Sequence, residues 1–177
     1  MEFNKLVFKK LGIIFKSNNL HIIEQSNNHV KLKSNSLVIT LIHDERENSN
    51  GIYVGRNEDF SYPVNEFILK NAFNSNVKID NVTQEVFLNS LCIFFENDGK
   101  SLISGNQYAL EAIKKYVYNA SETYTDQIVN AQILEAANIA WDKRNYKEFI
   151  IYIDKLDKQI LPESYLLKYK IAIKKLV

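Results

Sequence analysis

The chain has 177 residues, of which 46% are hydrophobic and 24% charged, and its formal net charge is +1. That length suits one domain, with or without a helical extension, and the composition excludes a disordered chain. Near-neutral charge, with only Arg46, Arg56 and Arg144 as arginines among 22 basic residues, leaves no electrostatic footprint for nucleic acid or an anionic membrane.

In chain order, Phe3, Leu6, Val7, Lys10 and Leu11 follow helical spacing, and Gly12 reads as the stop. Leu20 to Gln25 reads as a strand, and Ser26-Asn27-Asn28 as a turn. His29 to Lys33 alternates apolar and polar residues, the pattern of a half-exposed strand. Leu37 to Asp44 is apolar on both faces, which predicts a central strand covered by helices on both sides. Glu45 to Gly51 reads as a loop, and Ile52 to Arg56 as a fourth strand. The short connections favour an antiparallel meander.

Pro63 reads as the first turn of a helix carrying Val64, Phe67, Ile68 and Ala72. Beyond Asp80 the strand-like alternation stops. Val82, Val86, Leu91, Phe94 and Phe95 mark one helix, ended at Asn97-Asp98-Gly99. Ser104 and Gln107 have capping-box spacing before a helix through Val117, and another helix is predicted near Asp126 to Lys143. A fourth carries Tyr146, Phe149, Ile150, Ile153, Leu156 and Ile160. Pro162 opens a fifth, with Leu166, Tyr169, Ile173 and Leu176 inward. The fold class expected is therefore α+β: a four-stranded antiparallel meander flanked by helices, with an all-helical C-terminal half. Residues 1–80 form the sheet region and residues 81–177 the helical region, packed as one globular unit.

Charge along the helical half is uneven. Val82 to Asp142 holds 3 basic and 8 acidic residues, and Lys143 to Val177 holds 9 basic and 4 acidic. A net −5 block thus precedes a net +5 block, which reads as intramolecular complementarity or as a partner-steering surface.

Catalytic motifs are missing from the sequence. His21, His29 and His43 fall in the sheet without metal-ligand spacing, and a three-residue turn around Asn35 would pair His29 with Leu41 on the face of His43. Cys92, the sole cysteine, sits in an apolar run and reads as a structural thiol. No glycine-rich cradle is present, and no metal or cofactor is expected. The densest ionisable cluster is His43-Asp44-Glu45-Arg46-Glu47, followed by Arg56, Glu58 and Asp59. Carboxylates beside His and Arg are the makings of a small hydrolase using His43, Asp44 and Glu45, or of a solvated, partner-binding surface. Tyr108, Tyr116, Tyr146 and Tyr169 fall at core-like helical positions. Tyr53, Tyr62, Tyr118, Tyr124 and Tyr152 fall off those stripes, where interface anchors belong.

Two resemblances follow from particular stretches. IAWDKRNYKEFIIYIDKLDKQILP resembles one tetratricopeptide-type helical hairpin, with Trp141 on the first helix and Asn145-Tyr146 at the turn. Phe149 departs from the small residue of that pattern; the likeness implies a helical hairpin and leaves an adaptor role open. Across residues 3–72, a helix ending in LGI, then VKLKSNSLVITLIHDER, then IYVGR and an aromatic-Pro helix start, is similar to small bacterial immunity-type proteins of polymorphic toxins. That likeness implies a non-catalytic cytoplasmic protein whose partner is a cognate toxin domain, with no nucleic acid and no membrane. The contact residues expected on this reading are Asp44, Glu45, Arg46, Glu47, Arg56, Glu58 and Asp59.

Overall fold

A computed structural model describes residues 2–158 and 161–176. It resolves into two compact units, Met1–Asn119 and Ala120–Val177. The division falls inside one helix, whereas residue 80 lies within the first unit.

The first unit opens with α1 (Phe3–Ser17), which runs straight through Gly12. Ending it instead are Ser17 and Asn18, whose side chains donate to the Ile14 carbonyl, and Asn19 in the left-handed region. A five-stranded antiparallel sheet follows in sequential order: β1 (His21–Ser26), β2 (His29–Lys33), β3 (Val38–Asp44), β4 (Ser49–Gly55) and β5 (Tyr62–Val64). The predicted meander is there, with one strand more than expected. Pro63 lies in β5 opposite Tyr53 and not in a helix. Proline has no N–H to donate, so an edge strand accepts it. Helix α2 (Glu66–Phe73) begins just beyond, capped by the Asn65 side chain accepting from the Ile68 amide.

Register decides what each side chain meets. Leu37 lies in the β2–β3 connection, fully buried, and the first pair of this hairpin is Lys33 with Val38. His29 therefore pairs with Ile42, one residue away from the pairing expected. A one-residue slip moves a side chain to the other face, so His29 and His43 lie on opposite faces. Val30, Leu32, Ile39, Leu41, Ile52 and Val54 form the inner face, each at most 1% exposed. Burial of one such side chain contributes about 1.5–3 kcal/mol.

Helices of the first unit cover that inner face. Val7, Leu11 and Phe15 from α1 join it in one core with Ile68 and Leu69 from α2. Phe87, Leu91 and Phe94 of α3 (Gln84–Glu96), Leu102 and Ile103 of α4 (Lys100–Ile103), and Ile113 complete the cluster. On the outer face, Lys31, Lys33, Thr40, Ile42 and Tyr53 are half-buried and outside this core. The two-sided cover expected for β3 is thus corrected: Val38 is buried, but its neighbours on that face are partly in water.

α4 ends at Gly105 in the left-handed region, and the Asn106 side chain accepts from the Tyr108 amide to start α5 (Gln107–Asp142). Ser104 closes α4 and does not cap α5. The two helices expected between Gln107 and Lys143 are this one 36-residue helix. No Gly or Pro stands between Val117 and Asp126 to stop it, so backbone hydrogen bonding continues across the gap in apolar pattern. Tyr108 is exposed, contrary to its core-like spacing.

The second unit consists of the α5 segment from Ala120, α6 (Tyr146–Ile153) and α7 (Glu163–Leu176). Its core is small: Ala137, Ala140, Phe149, Ile153, Leu156, Leu161 and Ala172. Trp141 packs its ring on Phe149 at 5.2 Å between centroids, and Asn145 caps α6 through the Glu148 amide. α6 ends earlier than predicted, and Ile160 lies outside the described residues. On α7, Ala172 is the buried residue, while Ile173 and Leu176 are exposed where inward positions were expected.

Candidate functional site

The expected contact residues are built by two connections of the sheet. In the β3–β4 hairpin, Asp44 pairs with Ser49, leaving Glu45 to Asn48 as the loop. The chain turns there because Asn48 takes a positive φ of 48°, which Asn tolerates better than most residues. The Asp44 carboxylate organises the loop by accepting from the backbone amides of Arg46 at 2.8 Å and Glu47 at 3.2 Å. The Glu47 and Arg46 amides hold the Asp44 carboxyl below its ordinary pKa, against a smaller desolvation penalty. Glu45, Arg46 and Glu47 are exposed and make no ion pair within 4.0 Å among the described residues.

Arg56, Glu58 and Asp59 sit in the β4–β5 connection at the other end of β4, so the structure does not bring the seven residues together. β4 spans Ser49–Gly55, about 20 Å at roughly 3.4 Å per residue. Within this second loop the Phe60 amide donates to the Asn57 side chain. Glu58 is 2.7 Å from the Lys33 ammonium at the end of β2. Hydrogen bonding from Lys33 holds the Glu58 carboxyl below its ordinary pKa. This ion pair, joining residues far apart in sequence, had no signal in the periodicity.

His43 and Asp44 diverge along β3, and with Glu45 they border one depression at the end of the sheet. Successive strand residues point to opposite faces, and His43 is turned inward, buried against the Phe3 ring at 5.8 Å. Its Nδ1 lies 3.0 Å from Asn50 Oδ1. The Asn50 amide nitrogen donates to the Val82 carbonyl, which can only accept, so Asn50 turns its oxygen to His43 and His43 Nδ1 carries the proton. Asp44 faces the other way, and its carboxylate is engaged by the loop amides.

This shallow depression, of about 460 Å³, is lined by Asn28, His29, Ile42, His43, Asp44, Glu45 and Arg46. His29 Nδ1 is 3.7 Å from the Glu24 carboxylate. Among the described residues, no group of three or more His, Cys, Asp or Glu side chains is placed to hold a metal ion. Cys92 is partly buried in α3, and desolvation raises its pKa above the ordinary thiol value. No helix among the described residues is long and apolar enough to cross a membrane.

Sequence reasoning overlooked the surface between the two loops. His29, Lys31 and Lys33 of β2, Thr40 of β3 and Tyr53 of β4 share the outer face of the sheet, as the pairs Lys31–Thr40 and Thr40–Tyr53 require. Asp44 belongs to this face by alternation. The polar positions of the β2 alternation were the available signal; the apolar outer residues of β3 concealed it. No protein-family model, curated protein or solved structure matches the chain.

Proposed function

We propose that this chain is a non-catalytic protein-binding protein of the immunity type, which neutralises a cognate bacterial toxin domain by covering its active surface. The observation supporting this reading is the partly exposed outer face of the sheet, with Tyr53 on its fourth strand and charged loops at both ends. A standard interface buries about 800 Å² on each partner, roughly 30 Å across. The approximately 20 Å between the loops fits inside that footprint, so one partner lying on the face reaches Glu45, Arg46 and Glu47 as well as Arg56 and Asp59. A rigid sheet carrying a tyrosine and mixed charges gives a partner both an anchor and a means of discrimination. The loop carboxylates suit a basic toxin surface, and Lys31 offers a counter-charge for one acidic group.

The test is co-expression with the product of the adjacent reading frame, read as growth rescue and as affinity by calorimetry. Tyr53→Ser and Arg46→Glu are each expected to weaken binding by about tenfold or more, the usual size for an anchor or a charge reversal, without lowering the melting temperature. Absence of rescue and binding, or binding indifferent to changes on this face, overturns the reading.

A further inference from the structure

The three-helix unit leaves two helix faces in water. Along α5, Tyr124, Ile128, Glu135, Ile139 and Asp142 recur at three- to seven-residue steps on the side opposite buried Ala137 and Ala140. Tyr124 is 65% exposed, and Ile128 and Ile139 are exposed as well. Along α7, Leu167, Lys170, Ile171 and Lys174 form the side opposite Tyr165, Tyr169 and Ala172, with Leu167 62% exposed. An isolated exposed leucine is ordinary, but two ordered apolar stripes on a unit this small are not.

Their charges are opposite. Ala120 to Asp142 carries four acids and no Lys or Arg, whereas α7 carries Lys168, Lys170, Lys174 and Lys175 against Glu163 alone. Lys168 is engaged within the unit, over the Trp141 ring at 5.4 Å. Glu135, Asp142, Lys170 and Lys174 have no ion-pair partner within 4.0 Å among the described residues. The acidic and basic blocks of the helical half are therefore not neutralised within the unit along these faces.

We propose that the occupant of both faces is a second copy of this chain: the outer face of α5 from one copy lies on the outer face of α7 from the other. Each copy supplies both surfaces, so the same contact is available at either face of every copy. Glu135 and Asp142 then meet Lys170 and Lys174, and Ile139, which lies between the two acids, meets Ile171, which lies between the two lysines. The contact uses other residues than those of the sheet, so it stands or falls independently of the toxin reading.

The test is sedimentation of the full chain over a wide concentration series, in low and high salt. Wild type is expected to associate, and more weakly as salt screens the charge pairs. Glu135→Lys with Asp142→Lys makes both faces basic; Lys170→Glu with Lys174→Glu makes both acidic. Each double variant alone is expected to lose association by about tenfold or more, and an equimolar mixture of the two is expected to regain it, because every contact in the mixed pair is again opposite in charge. A wild type that is monomeric at every concentration overturns the proposal. So does association that survives both double variants, or a mixture that stays monomeric.

Discussion

Two glycines show how differently the same residue type is used. Gly12 sits inside α1, and a methyl group there meets nothing within 4 Å. Glycine in a helix interior costs about 0.5–1 kcal/mol relative to alanine, so Gly12→Ala is expected to raise stability by about that amount. Gly105 has a φ of +76° where α4 turns into α5, and an added Cβ would run into Ser36 Oγ. Gly105→Ala is expected to lose about 1–3 kcal/mol, from left-handed strain and displacement of the β2–β3 connection. Urea denaturation of both variants checks the pair; equal effects would mean that the backbone, not the surroundings, sets the outcome. In the sequence Gly12 looked like the stop signal. The real stop is Asn18-Asn19, because side-chain hydrogen bonds to the last turn outweigh the entropy cost of one glycine.

At the scale of elements, the alternation in β2 and the apolar run in β3 were legible because packing on one core enforces a two-residue period. The register was not legible. It depends on Leu37 being drawn into the core, which lengthens the β2–β3 connection by one residue and parts His29 from His43. β5 was hidden for a related reason: a three-residue edge strand containing proline carries no periodicity, and only its neighbour β4 defines it. The start of α2 is held by another contact between segments. Glu66 accepts from the Ile79 and Asp80 amides at 3.1 Å and pairs with the Lys78 ammonium at 2.7 Å, while the Glu66 amide donates to Asp80. Lys78, then the Asp80 amide, lower the Glu66 pKa from 4.5. A carboxyl whose pKa is lower in the folded state stabilises fully above its unfolded value, and loses that contribution as pH falls through the folded value. The melting temperature of wild type minus that of Glu66→Gln is therefore expected to be positive and flat above about pH 5.5 and to shrink toward zero in more acidic buffer. A difference that stays constant down to about pH 3 would exclude this linkage.

For the whole molecule, the two cores carry a consequence for unfolding. The larger core draws on four of the five strands, β2 to β5, and on α1 to α5, whereas the second rests on Phe149, Ile153, two leucines and three alanines. Units below about 70–80 residues rarely gain more than about 3–5 kcal/mol from a single core, and Ala120–Val177 falls in that class. The α5 periodicity could not reveal this division, because the helix is continuous while its buried positions change from Ala109, Leu110 and Ile113 to Ala137 and Ala140. Calorimetry is expected to resolve two transitions, the lower belonging to the helical unit. Phe149 is fully buried against Trp141 and Ile153, and truncating such a ring costs about 3–5 kcal/mol. Phe149→Ala is thus expected to abolish the lower transition and leave the upper one in place. Because self-association through α5 and α7 would bind only the folded helical unit, the lower transition should also move up with protein concentration while the upper does not. A single transition that Phe149→Ala lowers as a whole would show that the two cores melt as one cooperative structure.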